Sequence, residues 1–196
     1  MNSRQELVDC VKTLYKMGLT TSISGNHSIR MNGGSRSWMW ITPSGVPRYK
    51  MRPVDLVKVN LMTGKAIGKI KPSIELEMHR SIYNIRPDIN AIVHTHSPFT
   101  IGVSISSKFR HIIEEAKIVV GEPKIIANSP SGSTQLARAV SDEFGKGTRA
   151  VVIKNHGVVA GGSDIEHARA IVESLEEWAK ILTVTRVFGG PSDWLQ

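Results

Sequence analysis

The segment Ala91-Ile92-Val93-His94-Thr95-His96 joins an apolar run to two histidines on alternate residues. Alternate side chains of a β-strand point to the same face of the sheet, so His94 and His96 are predicted to project together. A third histidine, His156, follows a second apolar run, and Glu75 lies upstream. Three imidazoles with one carboxylate are a ligand set that a catalytic zinc ion prefers, with a position left open for substrate.

Length and composition bound the architecture. The chain has 196 residues, of which 40% are hydrophobic, enough to bury the core of one globular domain. We therefore expect a single domain over residues 1–196. No segment has the roughly 20 consecutive apolar residues that cross a bilayer, and no secretion signal is visible. We expect a cytoplasmic protein with no membrane partner.

The balance of charge is basic, with 25 Lys and Arg against 17 Asp and Glu, a formal net charge of +8. Clustered basic residues attract nucleic acid, but here they are scattered and lack the interleaved aromatics of single-strand binders. Attraction of a small anionic substrate, such as a sugar phosphate, explains the same surplus. We expect no nucleic-acid partner.

Apolar periodicity and turn residues predict the elements. Capping boxes at Ser3 and Ser163 mark the first and last helices. The predicted helices span 3–18, 73–86, 133–144 and 163–188, and the predicted strands span 27–31, 38–41, 57–61, 91–96, 117–120, 125–127 and 150–153. The first two strands form a hairpin through Asn32, Gly33 and Gly34. Early strands with short turns, followed by strands alternating with helices, predict a mixed sheet covered by helices on both faces.

A histidine pair alone is compatible with an ordinary core, but it stands here within a wider pattern. Five ordered motifs resemble the class II aldolase/adducin family along most of the chain: Ser24 to Arg30, Ile41 to Gly45, Lys71 to Glu75, Val93 to Ser97 and Asn155 to Gly157. The resemblance implies an α/β fold, a three-layer α/β/α arrangement with a central mixed, largely antiparallel sheet. It also implies a homotetramer that acts as a zinc-dependent lyase or isomerase.

The resemblance assigns the metal and the chemistry. The Zn²⁺ ligands fall on His94, His96 and His156, although other divalent transition metals suit such ligands. The catalytic carboxylate, which can also ligate the metal, falls on Glu75. The implied reaction is cleavage of a ketose, such as L-fuculose 1-phosphate, into a dihydroxyacetone phosphate unit and an aldehyde. Zinc stabilises the resulting enediolate, and Glu75 moves a proton if its pKa is raised toward neutrality.

The resemblance also assigns substrate contacts. Gly25 lets the backbone approach a ligand closely, and the amide of Asn26 can hydrogen-bond the enediolate or the phosphate. Phosphate contacts fall on Ser44, Gly45 and Ser73. Ser73 is expected to cap a helix whose first turn contains Glu75, so that its hydroxyl and free backbone N–H groups bind an anion.

Two departures leave the substrate open. Ile23 and Ile74 replace hydroxyl side chains of the family pattern near the phosphate, so a non-phosphorylated or carboxylated substrate is an alternative, unless backbone amides, Lys71 or Arg48 compensate. The tyrosine proton donor contributed by a neighbouring subunit has no counterpart. Its region offers Glu114 and Glu115, either as replacements or as exposed charges of a helix.

Other functions remain open. The same metal site serves pentulose-phosphate 4-epimerases and sugar-acid dehydratases or decarboxylases, and adducin-like relatives are non-catalytic binding modules. The remaining histidines, His27 and His79 among them, are expected at the surface or behind the site.

Overall fold

The computed structural model describes residues 3–31, 37–106 and 109–190. Its helices are α1 (Ser3–Lys16), α2 (Leu76–Ile85), α3 (Pro98–Ser106), α4 (Glu114–Val119), α5 (Thr134–Gly145) and α6 (Ile165–Val187). Its strands are β1 (Asn26–Arg30), β2 (Trp38–Ile41), β3 (Val57–Asn60), β4 (Ala66–Ile67), β5 (Ala91–Thr95), β6 (Lys124–Ile126), β7 (Ala150–Ile153) and β8 (Gly157–Gly162).

The eight strands form one sheet in the order β4-β3-β2-β1-β5-β8-β7-β6. Only β6 and β7 are parallel neighbours, and every other pair is antiparallel. The mixed, largely antiparallel sheet is therefore confirmed. The hairpin strands β1 and β2 do pair, with Ser28 opposite Ile41, while its predicted turn at 32–34 lies outside the described residues.

Helices cover both faces of this sheet, as the three-layer expectation requires. Residues of α1, α4 and α6 pack in one apolar cluster, and residues of α2 and α5 pack in the other. Strand β5 contributes to both clusters, because Val93 packs in the first and its neighbour Ile92 in the second. Both residues are fully buried, so β5 lies at the centre of the core. No helix in the described ranges is long and apolar enough to span a bilayer.

Some predicted elements differ from the structure in their type or in their caps. The segment 117–120, predicted as a strand, belongs largely to α4, because the helical spacing of Ala116 and Val120 buries both residues. The last helix is capped by Asp164 rather than Ser163, and the Asp164 carboxylate accepts a hydrogen bond from His167 N. Helix α2 begins at Leu76, which leaves Glu75 at the N-cap position and not within the first turn.

Candidate metal centre

The three predicted metal ligands converge at one end of the central strands. His94 lies in β5, His96 follows that strand, and His156 precedes β8. Because β5 and β8 are antiparallel neighbours with Thr95 opposite Val158, the end of β5 meets the start of β8. The three rings lie 5.0–5.1 Å apart between centroids, and one nitrogen of each lies within 4.8 Å of the others.

A glycine permits this convergence. A Cβ atom on Gly157 would overlap Thr95 O and would lie 3.0 Å from His94 Cε1 and 3.2 Å from His96 Cδ2. The preceding turn places Asn155 in the left-handed region, with φ of 59°. Asparagine tolerates this conformation better than most residues, so the turn can bring His156 to the other two histidines.

The hydrogen bonds of His94 fit a metal ligand. Its Nδ1 lies 2.9 Å from Val158 O, which can only accept, so Nδ1 carries a proton. Its Nε2 lies 3.1 Å from Glu75 Oε2, inside the protein. This contact is favourable with a positive charge between the two atoms, supplied by a proton on Nε2 or by a metal ion in its place. With His96 and His156 beside them, the residues present fit a divalent transition metal.

Glu75 joins the histidines from the opposite side of the site. Its side chain is buried, with Oε1 3.5 Å from His156 Nε2, and Asn26 Nδ2 donates to Oε2 at 2.8 Å. Burial raises the pKa of Glu75, but His94, Asn26 and His156 outweigh burial and hold it well below its usual range. The raised pKa that was set as a condition for proton transfer by Glu75 is therefore not found in this structure, and Glu75 is a carboxylate at neutral pH.

A cavity of about 300 Å³ opens beside Glu75, His96 and His156. All of the predicted substrate contacts line it: Gly25, Asn26, Ser44, Gly45 and Ser73. Gly25 has a φ of +70°, and a Cβ there would lie 2.6 Å from His94 O, so the close approach of the backbone requires glycine.

Ser73 lies in the cavity but does not cap α2. Its backbone N–H donates to Thr42 O at 3.1 Å, and its hydroxyl oxygen accepts from Glu75 N at 3.2 Å. The expected free N–H group at Ser73 is therefore absent, because a bridge between Pro43 and Pro72 ties this segment to the sheet side of the site. The Ser73 hydroxyl hydrogen remains for a ligand.

Other backbone groups provide anion contacts. Ser44 donates its N–H to Lys71 O and its hydroxyl to Pro72 O. In the part of the chain that the structure describes, the N–H groups of Gly45 and Ile74 have no protein partner, and both residues line the cavity. Ile74 is 67% exposed. Its unpartnered backbone N–H is a hydrogen-bond donor at the position where the family pattern has a hydroxyl side chain.

Arg48 shapes the cavity and gives it positive charge. Its side chain is buried, and its five N–H groups donate to five carbonyl oxygens, those of Ile23, Ser24, Gly25, Pro43 and Val46. Burial lowers the Arg48 pKa to about 10, so the guanidinium remains charged at neutral pH. Because all five N–H groups are used, Arg48 has none left to donate to a substrate. It holds the backbone around Gly25 in place and adds positive charge beside the cavity. Lys71 is exposed.

One residue that lines the cavity was not predicted. Ser131 lines the cavity from the turn before α5. This turn packs closely against the backbone of Ile74, because a Cβ on Gly132 would lie 2.9 Å from Ile74 O. The Ser-Pro-Ser-Gly-Ser run was the available indication of that turn.

His27 and His79 are fully buried, so neither lies at the surface. Glu114 and Glu115 are exposed residues of α4.

Comparison with known proteins gives the family. Residues 5–183 match the family model described as the class II aldolase and adducin N-terminal domain. The chain belongs to the class II aldolase and adducin family. It is 35% identical over 191 residues to a 5-deoxy-D-ribulose 1-phosphate aldolase of Bacillus thuringiensis serovar kurstaki, covering 96% of this chain and 87% of that one.

Other members of the class II aldolase and adducin family are similarly close. A 3-oxo-tetronate 4-phosphate decarboxylase of Haemophilus influenzae is 30% identical over 184 residues, covering 91% of this chain and 85% of that one. The solved structure of an L-fuculose 1-phosphate aldolase superposes with a TM-score of 0.87 at 30% identity, covering all of this chain and 91% of that one. With the histidine cluster and Glu75 in place, this chain is a class II aldolase, a carbon–carbon lyase.

Proposed function

We propose that this chain is a zinc-dependent aldolase that cleaves a ketose 1-phosphate into dihydroxyacetone phosphate and an aldehyde. The observation that carries the proposal is the cluster of three histidine nitrogens within 4.8 Å of one another, with Glu75 Oε2 3.1 Å from His94 Nε2, beside a substrate-sized cavity. The names of two relatives, a deoxyribulose 1-phosphate aldolase and a fuculose 1-phosphate aldolase, support a ketose 1-phosphate as substrate.

His94, His96 and His156 would hold the metal through imidazole nitrogens, a donor set that suits Zn²⁺ and also Mn²⁺, Co²⁺ or Fe²⁺. When bound, the metal supplies Lewis-acid stabilisation of the negative charge that develops on substrate oxygens as the carbon–carbon bond breaks. Glu75 starts as a carboxylate. In the condensation direction it removes a proton from the carbon of dihydroxyacetone phosphate, and in cleavage it returns that proton.

The phosphate would bind at the end of the cavity formed by Gly45, Ser73 and Ile74. Two unpartnered backbone N–H groups and the Ser73 hydroxyl can donate to phosphate oxygens. The charge of buried Arg48 favours a dianion without touching it. These donors compensate for the hydroxyl groups lost at Ile23 and Ile74. The homotetramer implied by the resemblance and the cytoplasmic location expected from the composition remain predictions.

The test combines metal content with cleavage activity. Wild-type protein and His94→Ala are compared, with His167→Ala on the partly exposed face of α6 as the control variant, on a panel of ketose 1-phosphates. We expect near-stoichiometric zinc in the wild type and the control, with release of dihydroxyacetone phosphate. His94→Ala should lose both. Full cleavage activity in metal-free protein would contradict the proposal.

A decarboxylase is the second candidate, because one relative of similar identity is a 3-oxo-tetronate 4-phosphate decarboxylase. Decarboxylation of a 3-oxo acid also develops negative charge on an enolate oxygen, so the same ligands serve it. Bound zinc with release of carbon dioxide from a 3-oxo sugar acid, and no aldehyde from the ketose panel, would favour this function. Inversion of one carbon without cleavage would indicate an epimerase, and absence of both metal and activity a binding module.

A further inference from the structure

A buried chain of hydrogen bonds leads away from Glu75 into the protein. Asn26 Nδ2 donates to Glu75 Oε2 at 2.8 Å, and Asn26 Oδ1 lies 2.6 Å from His79 Nε2. On the other side of the ring, His79 Nδ1 lies 2.7 Å from Ser28 Oγ, which lies 2.9 Å from the hydroxyl of Tyr83. All five residues are buried, with at most 5% of their surface exposed.

Two elements build this chain. Asn26 and Ser28 are alternate residues of β1 and therefore share one face of the sheet. His79 and Tyr83 are four residues apart in α2, which places them one above the other on the helix surface that packs on that face. Glu75 is four residues before His79, at the N-cap of the same helix. The two-residue spacing in β1 and the four-residue spacing in α2 therefore place these side chains within hydrogen-bonding distance of one another.

The partners fix the direction of each hydrogen bond. The Asn26 carbonyl oxygen can only accept, so His79 Nε2 must carry a proton. Burial lowers the pKa of His79 to about 3, so the ring is neutral and Nδ1 is an acceptor. The Ser28 hydroxyl must then donate to Nδ1, and its oxygen is left to accept from Tyr83, whose hydroxyl lies 2.9 Å from Ser28 Oγ and farther, 3.5 Å, from Asn90 O. The order of donors and acceptors is consistent from Tyr83 to the Glu75 carboxylate.

We propose that Ser28 and His79 are positioning residues that select the orientation of the Asn26 amide. An asparagine amide has two orientations of nearly the same shape, which exchange its donor and its acceptor. The Glu75 carboxylate accepts from the Asn26 NH₂ group, the Nε2 proton of His79 binds the Asn26 oxygen on the other side, and Ser28 supports that tautomer by donating to Nδ1. The amide NH₂ group therefore faces Glu75, and Asn26 also lines the substrate cavity.

This orientation matters for the reaction, and here the inference rests on the proposed function. An NH₂ group beside Glu75 holds the carboxylate in place and presents hydrogen-bond donors where negative charge develops on the substrate. The reversed amide would put a carbonyl oxygen about 2.8 Å from a carboxylate oxygen, where two acceptors repel each other. It would also point an acceptor toward the developing charge.

The first test is the tautomer of His79, read from the ¹⁵N chemical shifts of its two ring nitrogens in histidine-labelled, zinc-loaded protein. We expect a neutral ring with the proton on Nε2. A proton on Nδ1 would overturn the proposal. This measurement needs neither substrate nor turnover, so it is independent of the proposed aldolase activity, and it needs no variant.

The second test uses Ser28→Ala, with Ser28→Thr to restore a hydroxyl. The matched control is Ser141→Ala, which removes another buried serine hydroxyl, one that donates to Arg138 O in α5. In Ser28→Ala we expect the His79 proton to appear on Nδ1 in part of the molecules, with kcat lowered about tenfold and KM changed less than about threefold, the loss of about one neutral hydrogen bond.

The rescue separates positioning from folding. Ser28→Thr is expected to keep the Nε2 tautomer and most of the wild-type kcat, and Ser141→Ala to leave both unchanged. The proposal is overturned if a folded Ser28→Ala, judged by an unchanged metal content, keeps the wild-type tautomer or the wild-type kcat. If Ser28→Ala does not fold, the tautomer of the wild type and of Ser28→Thr decides.

Discussion

His27 lies in the middle of the molecule without the partners that a polar side chain normally has. It occupies β1 opposite Val93, is fully buried, and neither ring nitrogen has a hydrogen-bond partner among the described residues. Burial lowers the pKa of His27 well below 6.5, and the charge of Arg48 lowers it further. An unpartnered imidazole costs stability, and it costs more when pH falls, because the unfolded chain then binds a proton that the folded chain does not.

Replacement of His27 by an apolar residue should remove both the cost of its unpartnered ring and the dependence of that cost on pH. The pKa of His27 is depressed in the folded state, so its titration leaves the free energy of unfolding unchanged above about pH 6.5. As pH falls below that value, this residue lowers the free energy of unfolding by about 1.4 kcal/mol per pH unit. We expect His27→Leu to raise the free energy of unfolding by about 1–2 kcal/mol at pH 8 and by more at pH 5. Denaturant unfolding at the two pH values measures this, and parallel shifts at both would be inconsistent with a buried neutral His27.

Helix α3 is attached to α6 by a buried carboxylate. Glu176 of α6 is 1% exposed and accepts hydrogen bonds from Phe99 N, and from both the N–H and the hydroxyl of Thr100. These N–H groups belong to the first turn of α3, where backbone donors have no partner within the helix and a negative charge is favoured. Because α3 begins two residues after His96, this contact also holds the end of β5.

Removal of that carboxylate should affect both the fold and the metal. We expect Glu176→Ala to lower the free energy of unfolding by about 2–4 kcal/mol, because it leaves buried N–H groups unpartnered, and to weaken zinc retention. Glu177→Ala, on the exposed side of the same helix, is the control and should change stability by less than about 0.5 kcal/mol. Chemical denaturation and zinc competition measure the two effects, and equal behaviour of the two variants would refute the role of Glu176.

The elements differ in how well the sequence predicts them, and the reason is local. Helix α6 is predicted to within two residues because its apolar spacing is regular, and β7 is predicted to the residue because it is a continuous apolar run. Strand β8 is missed because it is rich in glycine. Gly161 and Gly162 are needed there, as Cβ atoms would lie 2.6 Å from Ile89 Cδ1 and 2.5 Å from Ala168 N. That requirement comes from packing between elements and leaves no periodic pattern.

The whole molecule brings distant segments to one site through the order of its strands. Placing β1, β5 and β8 side by side puts Asn26 opposite His94 and brings His156 beside them. The ordered motifs of the sequence predict these site residues and the layered fold. They do not predict the buried network behind Glu75, because Ser28 and His79 are 51 residues apart and meet only after β1 and α2 pack. Nor do they predict the low pKa of Glu75, which depends on distances to its neighbours.

In the proposed reaction Glu75 moves a proton at carbon beside a metal held by three histidines. The measurement that isolates this step is exchange of a carbon-bound hydrogen of dihydroxyacetone phosphate in deuterated water, without any aldehyde. We expect zinc-loaded wild-type protein to incorporate one deuterium per molecule, and Glu75→Gln to retain zinc but exchange at least about a hundredfold more slowly, because it lacks the base. Exchange at the wild-type rate by zinc-loaded Glu75→Gln would contradict the account.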